Sequence, residues 1–111
     1  MKIDTQKVGT VDVLSPIGAL VEDDAEDFCG KLMARLTSPD ARLVVSLQEV
    51  PYLDSIALEG LLAATDELAG QAAALKLTNV SPTCREILEL TGVSNRFRFF
   101  QEIRDAVKSF L

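Results

Sequence analysis

The sequence predicts a single α/β domain: a mixed, mainly parallel five-stranded sheet with four helices, in the order βαβαβαβα after an N-terminal strand. Three observations carry that expectation. Short β-branched apolar runs alternate with segments whose apolar residues recur every three or four positions, the signature of strands alternating with helices. Turn and cap residues fall at the joints between them: Gly9-Thr10, Ser81-Pro82, Gly70 and Gly92. The 111 residues contain no linker, repeat or low-complexity segment, so one domain over 1–111 is expected.

The first strand spans Ile3 to Val8 and turns at Gly9-Thr10 into a second, Val11 to Ser15, giving a hairpin. Pro16 has no N–H for a ladder, which predicts that the second strand stops early or lies at an edge. After Gly18, the acidic group Glu22, Asp23, Asp24 precedes a helix and complements its positive end. Ala25, Phe28, Cys29, Leu32 and Leu36 form the apolar face of that helix, and Thr37-Ser38-Pro39-Asp40 stops it.

Leu43 to Leu47 is the short apolar run of a strand covered on both faces. The next helix follows Ser55, with Ile56, Leu58, Leu61, Leu62, Thr65 and Leu68 as its apolar positions and Gly70 as terminator. Ala73 to Asn79 is another strand. Ser81-Pro82 starts the third helix, with Cys84, Ile87, Leu88 and Thr91 inward and Gly92 ending it. Phe97 to Phe100 is a short aromatic strand, with Phe99 expected opposite Phe97 and Phe100. Ile103, Ala106, Val107 and Phe110 mark a last amphipathic helix. Whether helices cover one face of the sheet or both is left open.

Composition narrows the function classes. A net charge of -6 argues against a nucleic-acid backbone or an anionic membrane as partner. The N-terminal stretch lacks the apolar core of a signal peptide, no apolar run approaches a membrane span, and a cytoplasmic location is expected without direct membrane insertion. There is no histidine, which removes Ser-His-Asp and Cys-His arrangements along with the commonest general base. The glycines stand singly, so no phosphate loop is present. No catalytic residue, metal ligand or cofactor is assigned, and the chain is not expected to be an enzyme. Cys29 and Cys84 are expected to be reduced core thiols.

The stretch Val50 to Leu62 is the candidate functional segment. Pro51 ends the apolar strand, and Asp54 and Ser55 stand at the start of the following helix, where either side chain is a good cap. On local sequence alone the pair is first of all a plain cap. A serine hydroxyl at such a strand-to-helix mouth also lies at the surface, where the helix N-terminus tolerates added negative charge.

The chain resembles the STAS family, shared by anti-sigma factor antagonists and the tails of sulfate transporters; the likeness covers essentially the full length and is carried by three segments. Val44-Val45-Ser46-Leu47-Gln48-Glu49-Val50-Pro51-Tyr52-Leu53-Asp54-Ser55 looks like the family's apolar strand, short loop and Asp-Ser signature. Leu77-Thr78-Asn79-Val80-Ser81-Pro82 is similar to its later strand and Ser-Pro helix start, and Ile87-Leu88-Glu89-Leu90-Thr91-Gly92-Val93 to its pre-terminal helix.

The resemblance implies a regulatory module whose Ser55 is phosphorylated by a serine kinase with a histidine-kinase-like ATPase fold, itself the anti-sigma factor. It also implies a serine phosphatase, a partner surface of Asp54, Ser55, Ile56 and Glu59, and a monomer or weak dimer. Three positions depart from the usual signature. Ile56 replaces a small hydroxyl residue, Ala57 a glycine, and Glu59 a glycine or alanine. Bulky residues after the serine resemble the branches that scaffold stress-signalling assemblies, and alanine for glycine resembles the STAS subunits of lipid-transport ATPases. The alternative is therefore a structural subunit of one of those assemblies.

Two further clusters have simpler readings. Arg85, Arg96, Arg98, Arg104 and Lys108 are expected to form a solvated basic face rather than an anion site. Glu22, Asp23, Asp24, Glu26 and Asp27 lack the spacing of a calcium loop and are expected to serve helix-start electrostatics.

Overall fold

Neighbouring residues of a strand point to opposite faces of the sheet, and Val44 and Val45 accordingly belong to two different cores. The computed structural model describes residues 1–71 and 73–111. Its strands are β1 (Lys2–Val8), β2 (Val11–Ile17), β3 (Leu43–Ser46), β4 (Lys76–Thr78) and β5 (Arg98–Phe100). Its helices are α1 (Glu22–Ala34), α2 (Ser55–Ala69), α3 (Pro82–Leu90) and α4 (Ile103–Lys108), with a 3-10 turn at Ser94–Arg96. The sheet order is β1-β2-β3-β4-β5, antiparallel between β1 and β2 and parallel from β2 onward.

That order settles the question of coverage. From β2 to β5 each crossover steps the same way across the sheet, so a constant right-handed connection puts every crossover helix on one face. Leu14, Val45 and Leu77 meet Phe28 and Leu32 of α1, Leu61 of α2, and Cys84 and Leu88 of α3 on that face. The last helix follows the final strand and is under no crossover constraint. It folds over the other face, where Ala106 packs on Val11, Val13 and Val44 with Ile103, Val107 and Phe110 around it.

The hairpin, the helix start at Ser81-Pro82 and the C-terminal helix form as expected. Gly9 takes the left-handed φ of +63° that its turn requires. Ser81 Oγ accepts the Cys84 N–H at 3.2 Å, with Pro82 in the first turn. Both cysteines are free thiols, Cys84 buried and Cys29 partly so.

Other expectations are corrected. Pro16 neither ends β2 nor lies in an edge strand: β2 runs on to Ile17 between β1 and β3. Asp12 N–H donates to Arg42 O and Gly18 N–H to Glu49 O, so the even-numbered amides of β2 face the β3 side. The β3 register stops at Leu14, and Pro16 therefore lacks its N–H where the ladder has already ended. The strand expected over Ala73 to Asn79 pairs only from Lys76 to Thr78. Thr91 is exposed, because its hydroxyl is satisfied by Ile87 O at 2.7 Å on its own helix. Phe97 and Phe99 share a face, with ring centroids 6.5 Å apart, and Phe100 points to the α4 side. In α2 the buried stripe is Ala57, Leu61, Ala64, Thr65 and Leu68, while Ile56, Leu58 and Leu62 flank it half-buried. Gly70, by contrast, ends α2 where expected, as its C-cap, although in a right-handed conformation, φ -61°, rather than a left-handed one.

Helices α1 and α2 approach closely where Gly60 faces Cys29. A Cβ built on Gly60 would lie 2.9 Å from the Cβ of Cys29 and overlap its Sγ. Gly60→Ala gains about 1 kcal/mol of helix propensity, but the overpacking costs about 1 to 3 kcal/mol. Net destabilisation is expected in a thermal melt, and adding Cys29→Ala should recover part of it. Val45 is 0% exposed at the centre of the sheet. Val45→Ala is expected to cost about 2 kcal/mol in urea unfolding, from lost transfer energy and the cavity left behind.

Candidate functional site

Asp54 is the N-cap of α2, in extended backbone with φ -103° and ψ -174°. Its Oδ1 accepts the Ala57 N–H at 3.0 Å, the ordinary geometry of an aspartate cap. Its Oδ2 accepts the N–H of Glu22 at 2.7 Å. Glu22 is the first residue of α1, and the N-cap of that helix is Val21, which has no side-chain oxygen to offer. One carboxylate thus serves the starts of two helices, and both dipoles favour its charge. The bonds from Glu22 and then Ala57 hold the Asp54 carboxyl below the usual aspartate value.

The surrounding loops are bonded to one another. Asp54 N–H donates to Leu20 O at 3.0 Å, and Leu20 N–H to Tyr52 O at 3.1 Å, making a one-residue parallel bridge between Leu20 and Leu53. On the other side, Val50 O accepts from Ser81 Oγ and Cys84 Sγ, each at 3.4 Å, tying the loop after β3 to the start of α3. Beneath the site the Cys29 thiol donates a weak bond to Ile56 O at 3.6 Å. Burial, and then the charge of Asp54, push that thiol up, so it stays protonated at neutral pH and is a poor nucleophile.

Ser55 is the first residue of α2 and is exposed. Among the described residues its hydroxyl has no hydrogen-bond partner, because Asp54 alone does the capping. Glu59, four residues on, is exposed on the same helical face, and Ile56 is half-buried beside it. Ala57 belongs to the core and does not reach the surface. Two features were missed by sequence reasoning. Tyr52, 50% exposed, stands in the loop just before the cap. Glu22 is joined to Asp54, which puts the acidic start of α1 beside Ser55. An aromatic residue between Pro51 and Leu53 was the available signal for Tyr52. The link to Glu22 had none, being 32 residues away.

The basic residues of the last third do not converge here. Arg85 pairs with Glu89, Arg96 with Asp66 and Arg104 with Glu102, as a solvated face would, whereas Arg98 lies at the start of β5. Among the described residues no three His, Cys, Asp or Glu side chains gather as a metal site, and no helix is long and apolar enough to cross a membrane.

A model of the STAS domain matches residues 2–106. A STAS-domain containing protein of Pseudomonas aeruginosa strain UCBPP-PA14 is 38% identical over 64 residues, which are 58% of this chain and 63% of that protein. The match therefore spans less than two thirds of that relative's length. Among solved structures, a candidate anti-sigma factor antagonist from Thermotoga maritima superposes with a TM-score of 0.87 at 18% identity, over 96% of this chain and 92% of that one. An anti-sigma factor antagonist from Mycobacterium paratuberculosis is 25% identical with a TM-score of 0.81, over 97% and 92% of the two chains. The Bacillus cell fate determinant SpoIIAA in its phosphorylated form has a TM-score of 0.75 at 18% identity, over 99% and 100%.

The lowered value of Asp54 makes stability depend on pH in a stated direction. The stabilisation is present above the ordinary aspartate value of about 3.9 and is lost as pH falls through the lower folded-state value. Asp54→Asn cannot accept two N–H bonds with full charge. Its urea midpoint should lie below wild type at pH 7, with a gap that narrows as pH falls below about 4. A gap independent of pH would assign the loss to packing rather than to the carboxylate.

Proposed function

Because the chain belongs to the STAS domain family, we propose that it is a regulatory protein-binding module of the anti-sigma factor antagonist type, switched by phosphorylation of Ser55. The observation that carries this reading is the division of labour at the start of α2. Asp54 caps the helix, so the exposed Ser55 hydroxyl has no structural task and is free to be modified. A phosphate there adds about 1.5 to 2 negative charges at the positive end of a helix, where the fold accommodates them. Binding changes while the fold is kept.

In this reading the partner is a serine kinase with a histidine-kinase-like ATPase fold that is also the anti-sigma factor, and a serine phosphatase reverses the mark. The contact surface is Asp54, Ser55, Ile56 and Glu59, extended by Tyr52. The chain works as a single domain over 1–111, a monomer or weak dimer in the cytoplasm, without catalysis of its own. Asp54 enters chiefly as a positioning group, since both of its oxygens are occupied by backbone N–H donors. Its charge still opposes any acidic partner group, and a phosphate on Ser55 adds to that opposition. The likeness to the mycobacterial antagonist supports the class of partner. Phosphorylated SpoIIAA, whose whole length superposes on this chain, is consistent with a mark that leaves the fold in place.

A second reading rests on Ile56 and Glu59. Both flank Ser55 at or near the surface and depart from the antagonist signature, which favours a structural subunit of a stress-signalling scaffold. Ala57, the third departure, carries the resemblance to the lipid-transport subunits, but it is an internal packing residue and adds nothing to the contact surface.

Ser55→Ala is expected to change stability by less than about 0.5 kcal/mol, since Asp54 retains the cap, and to bind the kinase as unmodified protein does. Isothermal titration should show strong binding of unmodified protein, none of the phosphorylated form, and intermediate weakening for Ser55→Asp, which brings one charge and two oxygens. Equal binding by all three would transfer the assignment to the structural subunit. Intact mass of protein from its own cells, with a phosphate mapped to Ser55, tests the modification directly.

A further inference from the structure

At the end of the sheet opposite Ser55 the parallel strands begin side by side, and three cations stand at their starts: Arg42 just before β3, Lys76 in β4 and Arg98 in β5. Lys76 and Arg98 are register partners, so their side chains leave the sheet on the same face. With Phe110 they line a cavity of about 690 Å³, within the range of small-molecule sites.

Lys76 is the unusual member. It is 6% exposed, and its Nζ lies 3.3 Å from the Phe110 ring centroid. Arg42 donates to Thr10 Oγ1 at 3.1 Å and stands 5.9 Å from the same ring, while Arg98 lies 5.2 Å from that of Phe100. Among the described residues no carboxylate is within ion-pair distance of Arg42, Lys76 or Arg98, nor of the exposed Lys2 and Lys108, although Lys7, Lys31, Arg35, Arg85, Arg96 and Arg104 each have one. The trio differs from Lys2 and Lys108 in converging on one cavity. Asp40 lines the cavity without pairing to any of the three. Burial, then Arg98, then Arg42 lower the lysine's pKa, which is what an uncompensated trio imposes. In a chain of net charge -6 with an excess of carboxylates, leaving these cations together is a specific arrangement.

An aromatic ring attracts an ammonium but does not neutralise it. Two guanidinium forks and an ammonium around one cleft match the oxygens of a phosphate, and three positive charges offset by Asp40 suit an anion of charge two or more. We propose that this cleft binds a small phosphorylated anion, with Lys76 supplying the buried charge and Arg42 and Arg98 the forks. The site is separate from Ser55 and involves none of its residues.

Pyrophosphate is the probe, titrated at ionic strength held constant with chloride and followed by calorimetry and thermal melting. Saturable binding is expected, with a melting rise on the order of 5 °C at about ten times Kd. Lys76→Met should fold, melt higher than wild type in chloride alone because the unpaired charge is gone, and bind at least about tenfold more weakly. Arg98→Gln, at an exposed position, should weaken binding by about tenfold with the melting point in chloride unchanged. A pyrophosphate response no larger than that of chloride, or equal binding by both variants and wild type, would overturn the proposal. Co-sedimentation with phosphatidic acid vesicles in place of a response to soluble pyrophosphate would overturn the small-anion assignment.

Discussion

The carboxylate of Asp54 accepts one N–H from Ala57 in α2 and another from Glu22 in α1, and the arrangement around Ser55 depends on that pair of bonds. Helix α1 begins at Glu22 with φ +51°, a left-handed conformation that is costly outside glycine. Its own cap residue, Val21, has nothing to give. The bond from Asp54 offsets part of that strain and fixes the start of one helix against the start of the other. The Leu20–Leu53 bridge and the close pass of Gly60 over Cys29 continue the same contact along both helices. Ser55 is consequently presented from a rigid ledge rather than from a loop, and its freedom from structural duty is a consequence of where its neighbour's oxygens go.

Sheet topology divides the remaining chemistry between two ends. Parallel strands collect the loops that leave them at one edge, here with Ser55, Tyr52 and Glu59, as open parallel sheets generally do. The same topology collects the strand starts at the opposite edge, where Arg42, Lys76 and Arg98 meet over Phe110. The α4 face supplies Phe110 and so closes the second edge, while α1, α2 and α3 build the first. A helix after the last strand, free of crossover handedness, is what makes the second site possible.

Much of the fold was legible because its signals are local. Leu43 to Leu47 reads as a strand from β-branching and length, and Ser81-Pro82 as a helix start from cap chemistry, with no reference to the rest of the chain. The errors came where a partner decided. Pro16 is harmless because the β3 ladder ends at Leu14, and the strand before Ser81 is short because only Lys76 to Thr78 find partners. Arg98 was grouped with Arg85, Arg96 and Arg104 by sequence proximity, whereas its spatial neighbour is Lys76 in the adjacent strand.

By itself the sequence determined the order and type of the elements, the Asp54-Ser55 junction at the mouth of α2, and the absence of any histidine chemistry. These follow from periodicity, cap preference and composition, which act over a few residues. Tertiary structure alone decided which of two adjacent residues is the cap, that Asp54 serves a helix 32 residues away, and that Ala57 is core while Ile56 and Glu59 stand at or near the surface. It also decided that three cations scattered between positions 42 and 98 share one cleft. Hydrogen bonds and charges act across space without regard to separation along the chain, and only the packed sheet brings those groups within their range.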